Sequence, residues 1–165
     1  NIEFIVTQLM RLGRLGSFDL NSRFYADDDL MAGAADPFQL FRIMVEFVNG
    51  GGLLPESTVA LMLDQCHNVE PKIPGQIRSI LNVQETVVRA LQLDRAALGA
   101  AQANGDVIAA NEIFMDAFHT DVRPGLEAWR EERGLPARPL ESYAASGYQQ
   151  RIEEERIGGV QSSWS

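Results

Sequence analysis

Only two segments of this sequence have the pattern of a β-strand, and both are short. The first covers residues 17–20, which are too few for a helix and follow Gly13 and Gly16. The second is the continuous apolar run 59–63, which ends on Asp64 and is typical of a strand buried on both faces. Helical patterns precede the first strand and separate the two. This helix–strand–helix–strand order predicts a right-handed parallel unit.

Helical periodicity accounts for most of the remaining chain. Apolar residues recur at helical spacing over residues 2–12. Asp36 and Pro37 form an N-cap and a first helical position, which predicts a helix from Pro37 to Asn49. After residue 73 we find no further strand. The helical patterns there cover 74–93, 94–103, 105–119 and 122–133.

Two parallel strands buried on both faces do not form a stable sheet by themselves. A complete (β/α)8 barrel typically needs roughly 250 residues, and this sequence has 165. We therefore expect an α/β fold, a (β/α)8 TIM barrel of which the chain holds the last two strands and a C-terminal helical extension. Residues 1–73 would form the C-terminal part of the barrel with its loops, and residues 74–165 the last barrel helix and the extension. The start at Asn1 rather than Met favours a piece of a longer protein.

The charge and the single cysteine exclude several classes of protein. The net charge is −9 and clusters of Lys and Arg are absent, which argues against nucleic acid or an anionic membrane surface as a main partner. No apolar run approaches the length of a membrane span. Cys66 has no second cysteine to pair with, so nothing points to secretion and we expect a cytoplasmic protein.

Acidic side chains follow both predicted strands. Asp19 lies near the end of the first strand, Asp64 lies at the end of the second, and the next loop adds Asp27 and Asp29. Neighbouring strands are roughly 4.8 Å apart, so ionised carboxylates at their ends repel unless one holds a proton or a cation lies between them. Active sites of parallel α/β folds lie at this edge. A metal site is one interpretation; a solvated loop and a turn residue are the others.

Two polar residues near these aspartates are further candidates. His67 comes three residues after Asp64, and we interpret it as a residue that orients a metal ligand, with a surface histidine as the alternative. Asn21 could hydrogen-bond a hydroxyl group of a bound ligand, or simply solvate its loop.

Several stretches resemble one enzyme family. Residues 18–30 (FDLNSRFYADDDL) resemble a signature loop of the L-rhamnose isomerases, including their D-allose-active relatives. Residues 36–41 (DPFQLF) resemble the stretch that comes just after this loop in the same family. Residues 63–69 (LDQCHNV) resemble the family's Asp-x-x-His-Asn segment. The tail is similar at 94–98, 120–124 and 142–148. The resemblance covers nearly the whole chain in order, and it implies a barrel whose seventh and eighth strands are the two seen here.

The same resemblance implies a metal-dependent aldose–ketose isomerase that interconverts L-rhamnose and L-rhamnulose, or related aldoses, by a metal-assisted hydride shift. It implies two divalent ions per full-length subunit. Mn2+ is the expected metal, with Mg2+ or Co2+ as alternatives. Asp64 matches a ligand of the structural ion and a catalytic position, and Asp27 and Asp29 match ligands of the second ion. Asp19 stands where relatives carry a histidine ligand, so the site would be harder in character. The family is homotetrameric, and we expect Ile113, Phe114, Phe118 and Trp129 to pack against another subunit.

The resemblance also implies that this chain alone is inactive, because a glutamate, an aspartate and a histidine ligand of the family have no match in it. Two alternatives stay open. A ketose 3-epimerase also uses a metal at a barrel mouth, but it relies on paired glutamates, which these loops lack. A non-catalytic helical interaction module with a solvated acidic loop would bind no metal tightly.

Overall fold

The two predicted strands form and pair in parallel. The computed structural model describes residues 2–25, 28–65 and 70–162, with side chains up to residue 156. Strand β1 (Ser17–Leu20) lies beside β2 (Ala60–Leu63), with Ser17 opposite Ala60 and Leu20 opposite Leu63. Pairing continues past both ends, since Ala60 N donates to Gly16 O at 3.0 Å and Asp64 N donates to Leu20 O at 3.1 Å. The predicted parallel unit is confirmed.

The rest of the regular structure in the described residues is helical. In chain order the helices are α1 (Ile2–Arg11), α2 (Pro37–Asn49), α3 (Lys72–Gln92), α4 (Arg95–Ala103), α5 (Val107–His119), α6 (Arg123–Glu131), α7 (Pro139–Ala145) and α8 (Tyr148–Ser162). The helices predicted up to residue 133 are confirmed. Helices α7 and α8 lie in the predicted helical extension, but their individual bounds were not predicted, because Pro136 and Pro139 interrupt the pattern there. Pro139 instead occupies the first turn of α7, where its missing N–H removes no helical hydrogen bond.

Helix α2 begins and ends where its sequence indicates. The Asp36 carboxylate accepts from Gln39 N at 2.8 Å, Pro37 follows at the first helical position, and Gly50 closes the helix by donating to Glu46 O. Its apolar face is buried, with Phe41 and Met44 fully enclosed. This helix therefore forms the centre of the core in the unit that runs from Asn1 to Pro124.

An aromatic cluster joins α2 to α5. The Phe41 ring lies 5.0 Å from that of Phe114, and the Phe38 ring lies 5.0 Å from that of Phe118, both in edge-on arrangements that aromatic pairs favour. Ile113 packs against the same core. Ile113, Phe114 and Phe118 therefore pack on α2 of the same chain and stay partly exposed. That they also pack against another subunit stays a prediction. Trp129 is about half exposed.

The expected fold class is wrong. In the described residues two strands of four residues each form a two-stranded sheet, and helices make up most of the remainder, so the chain is predominantly helical rather than part of a (β/α)8 barrel. The helix–strand alternation that suggested a barrel stops after β2, and the apolar faces of α2, α3 and α5 pack on one another instead.

The predicted burial of the second strand is also wrong. Leu61 is 37% exposed and Met62 is 48% exposed, because in the described residues β2 pairs only with β1. An apolar run predicts that a strand can be buried, but burial also needs a covering layer on each face.

Residues Gly125–Ser165 form a second unit. Within it the Arg133 guanidinium lies 4.3 Å from the centre of the Trp129 ring, and the Arg138 side chain donates to Glu127 at 3.2 Å. Both contacts are exposed to solvent, so they contribute little to stability. The two units meet between residues 124 and 125. The predicted boundary between residues 73 and 74 instead separates the segment with the acidic loops from the helical extension, and it stays a prediction.

Among the described helices, none is long and apolar enough to cross a membrane.

Candidate functional site

The loop after β1 is closed at its base by backbone hydrogen bonds. Ser22 N donates to Leu30 O at 3.0 Å, and Leu30 N donates to Ser22 O at 2.7 Å. The acidic run of the sequence lies inside the loop that this bridge closes. The bridge therefore holds the acidic loop at the carboxyl end of β1, the edge at which the site was predicted.

Two neighbouring aspartates have different roles in this loop. The Asp28 carboxylate turns back into the loop and accepts from Phe24 N at 2.9 Å and Tyr25 N at 2.7 Å. Asp29 has a φ of +46°, in the left-handed region that few residues other than glycine adopt. Such a conformation persists where surrounding contacts hold it. The change of backbone conformation between the two residues points their side chains at different partners.

Asn21 joins the two strand ends. Its amide Nδ2 donates to Asp29 Oδ1 at 3.1 Å and lies 3.4 Å from the backbone oxygen of Asp64. Three of the predicted site residues, Asn21, Asp29 and Asp64, are thus brought together at one edge of the sheet. The arrangement orients the Asp29 carboxylate and ties its loop to the end of β2.

Asp19 lies on β1 opposite Met62 and is exposed. A cavity of about 340 Å3 lies beside the edge of β1, between that strand and the start of α2. Asp19, Asn21, Arg23 and Gln39 supply polar groups to its lining. The cavity therefore combines carboxylate, amide and guanidinium groups, which are the types of group that hydrogen-bond a polyhydroxylated molecule.

The donor chemistry of this edge fits a hard divalent cation. Oxygen atoms are the ligands that Mn2+ and Mg2+ prefer, and the Asp29 carboxylate and the backbone oxygen of Asp64 both lie at this edge, on either side of the Asn21 amide. Asp27 and His67 lie outside the described residues. Among the residues that are described, no three His, Cys, Asp or Glu side chains are close enough to hold an ion. The type of donor fits, while the number falls below a complete site.

A buried polar network that the sequence did not predict lies behind this edge. Gln65, directly after Asp64, is 8% exposed and accepts a hydrogen bond from the fully buried Ser79 hydroxyl at 2.6 Å. In the sequence, this network is indicated by small and polar residues on one face of α3. Gly75, Ser79 and Thr86 lie at helical spacing, and all three are buried. A helix face with small buried residues of this kind allows the backbone of another segment to pack closely against it.

The chain is similar to two curated proteins. It is 39% identical over 161 residues to a protein named "Probable sugar isomerase" from Rhizobium meliloti. It is 38% identical over 157 residues to one of the same name from Mesorhizobium japonicum. Each match covers 94% of this chain and 36% of the relative, so the chain spans about a third of the length of these relatives. No family model matches the sequence.

Proposed function

We propose that this chain is part of a longer metal-dependent sugar isomerase that interconverts L-rhamnose and L-rhamnulose or related aldose–ketose pairs. Two similar proteins named as sugar isomerases support the general reaction. The resemblance of residues 18–30 and 63–69 to L-rhamnose isomerases supports the substrate class. The observation that carries the proposal is the Asn21 amide, which holds the Asp29 carboxylate beside the end of β2.

The proposed roles of the acidic residues follow from the resemblance to the L-rhamnose isomerases. Asp27 and Asp29 would hold one divalent ion and Asp64 a second, with Asp19 as a further ligand and Mn2+ as the preferred metal. Asn21 orients Asp29 through its 3.1 Å hydrogen bond. His67 would orient a ligand next to Asp64. A bound divalent ion supplies polarisation of the sugar oxygens, which stabilises negative charge on them.

The reaction transfers one hydrogen from C2 to C1 of the aldose and one proton from the C2 hydroxyl to the C1 oxygen. No atom is gained or lost, so the chain needs no redox cofactor. Its residues would bind and orient the sugar through the polar lining beside β1, and the Asp64 carboxylate would hold or move the hydroxyl proton. A substrate deuterated at C2 distinguishes the route. A hydride shift carries the deuterium to C1, whereas removal as a proton loses it to water.

The test of the proposed function is the Asp64→Asn variant of the full-length protein. Conversion of L-rhamnose to ketose is measured together with bound Mn2+, and we expect both to be lost. Asp116→Asn is the matched control, because Asp116 is an exposed aspartate on α5, in a different part of the chain. Wild-type protein that converts no aldose in the presence of Mn2+, or an Asp64→Asn variant with normal activity, would overturn the proposal.

A further inference from the structure

The Ser79 hydroxyl connects two loops that are distant in sequence. Ser79 lies on α3 with no exposed surface. Its Oγ donates to Gln65 Oε1 at 2.6 Å and accepts from Ala32 N at 3.1 Å. Both partners are themselves buried, Gln65 at 8% and Ala32 at 1% exposure. A single buried hydroxyl therefore satisfies a side chain that follows β2 and a backbone amide that follows β1.

The two partners lie next to the acidic residues of the sheet edge. Gln65 directly follows Asp64, and Ala32 lies three residues after Asp29, just past the bridge between Ser22 and Leu30. A shift of either loop relative to α3 would break one of the two hydrogen bonds. Ser79 thus holds the loops of Asp29 and Asp64 against the same helix.

Neighbouring residues of α3 reinforce both connections. Gln76 Nε2 donates to Gln65 O at 3.1 Å, and Asn82 Nδ2 donates to Ala32 O at 2.9 Å. Gly75 allows the close approach, since a Cβ at that position would lie 2.5 Å from Gln65 Nε2. Each loop is therefore held at two points, which a single surface contact would not achieve.

We propose that Ser79 is a positioning residue, which sets the separation of the Asp29 and Asp64 carboxylates and through it the affinity for a divalent cation. The inference rests on the proposed function, because it assigns those two carboxylates to metal binding. Ser79 itself touches neither metal nor sugar. Groups that orient metal ligands without touching the metal typically lower the metal affinity by roughly 10- to 100-fold when they are removed.

Helix α3 offers a matched control. Thr86 is also buried, at 4% exposure, but its hydroxyl donates to Asn82 O within the same helix at 2.7 Å and reaches neither loop. Ser79→Ala and Thr86→Val each remove one buried hydroxyl from α3. Ser79→Ala leaves Ala32 N and Gln65 Oε1 without this partner, whereas Thr86→Val affects only the helix. A general loss of stability would appear in both variants.

The experiment titrates MnCl2 calorimetrically into the metal-free full-length protein. We expect Ser79→Ala to weaken Mn2+ binding by roughly 10- to 100-fold, and Thr86→Val to leave it unchanged even where urea unfolding shows similar destabilisation. Equal effects of the two variants on Mn2+ affinity, or no effect of Ser79→Ala, would overturn the inference. The Asp64→Asn variant distinguishes failure of this inference from failure of the proposed function. If Asp64→Asn binds Mn2+ normally, the metal assignment of the proposed function fails, independently of the result for Ser79→Ala.

A second readout does not need metal. Amide hydrogen exchange of Ala32 should accelerate in Ser79→Ala and not in Thr86→Val, because the Ala32 N–H loses its acceptor only in the first variant. Unchanged protection of Ala32 would contradict the positioning role. If Ser79→Ala does not fold, Asn82→Ala takes its place, since Asn82 is only partly buried and its substitution removes the bond to Ala32 O. It should also weaken Mn2+ binding, and normal affinity would count against the proposal.

Discussion

Adjacent aspartates of the loop after β1 show how one residue type takes two roles. Asp28 stabilises the loop through the amides of Phe24 and Tyr25, while Asp29, in the left-handed region, is held by Asn21. In an extended segment, alternation of the backbone would by itself point Asp28 away from its two neighbours. In the structure, the side chains of Asp28 and Asp29 point to different partners because of their hydrogen bonds and the left-handed backbone of Asp29.

The first residue-scale prediction compares Asp29→Asn with Asp28→Asn in the full-length protein. Asp29→Asn should weaken the second Mn2+ site and turnover by at least the roughly 10- to 100-fold that is typical for loss of a group that only orients a ligand, while the fold stays intact. Asp28→Asn should stay close to wild type, because asparagine keeps a carbonyl oxygen to accept from the two amides. Bound Mn2+ and initial rates measure both. Equal losses in the two variants would contradict the division of roles.

The second residue-scale prediction concerns Asp121, just before α6. Hydrogen bonds from the Arg123 side chain, at 2.7 and 2.8 Å, and from the Arg123 backbone lower the pKa of Asp121 from 3.8 to about 2. A lowered carboxyl pKa means that the stabilisation is present above pH 3.8 and is lost as the pH falls through about 2.

NMR titration of the Asp121 carboxyl carbon should give a midpoint of about 2. In Arg123→Gln the midpoint should move up toward 3.8, because the charged donor is gone. A wild-type midpoint near the ordinary aspartate value would show that the pair does not persist in solution.

At the scale of elements, aspartates begin three of the helices. Asp36, Asp94 and Asp106 each accept from the backbone N–H three residues on, at 2.8 to 2.9 Å. Part of the acidic character of this chain therefore serves helix capping, which typically contributes about 1 kcal/mol per cap. Net charge alone does not distinguish such residues from metal ligands.

The element-scale prediction compares two glycines. Gly99 lies inside α4, where an added Cβ would meet open space, so Gly99→Ala should stabilise the protein by about 0.5–1 kcal/mol. Gly52 follows α2, and a Cβ there would lie 2.0 Å from the buried Phe47 ring. Gly52→Ala should destabilise by about 1–3 kcal/mol. Urea unfolding midpoints should move in opposite directions, and a shift of the same sign would contradict the packing around Phe47.

At the scale of the whole molecule, the chain corresponds to about a third of its relatives. The described residues bring two predicted acidic ligands, Asp29 and Asp64, to one edge. A divalent ion such as Mn2+ takes about six ligands in an octahedral oxygen site. Complete binding therefore requires donors beyond those two.

The corresponding prediction is that the 165-residue chain alone binds Mn2+ weakly and converts no sugar, whereas the full-length protein does both. Calorimetry and a ketose assay on the two proteins test it. Normal turnover by the chain alone would contradict it. For the full-length protein we expect a homotetramer, which light scattering would show, and a clean monomer would count against that assembly.

The sequence by itself determined the features that depend on neighbouring residues. Asp36 and Pro37 set the start of α2, and helical periodicity located the helices up to residue 133, because caps and backbone sterics act over a few residues. The helix–strand–helix–strand order also predicted the parallel pairing of β1 and β2, because a crossover through a helix returns the chain in the same direction. Caps and helical periodicity are local, so the chemistry of the segment is enough to predict them.

Only the tertiary structure decided what covers each apolar segment and which polar groups meet. The apolar run at 59–63 resembles a buried strand, yet Met62 is half exposed. Asn21 contacts the backbone of Asp64 across 43 residues, and Ser79 contacts Ala32 across 47. Such contacts depend on how distant elements pack, because hydrophobic burial has no direction of its own and each buried polar group must find a partner wherever packing places one.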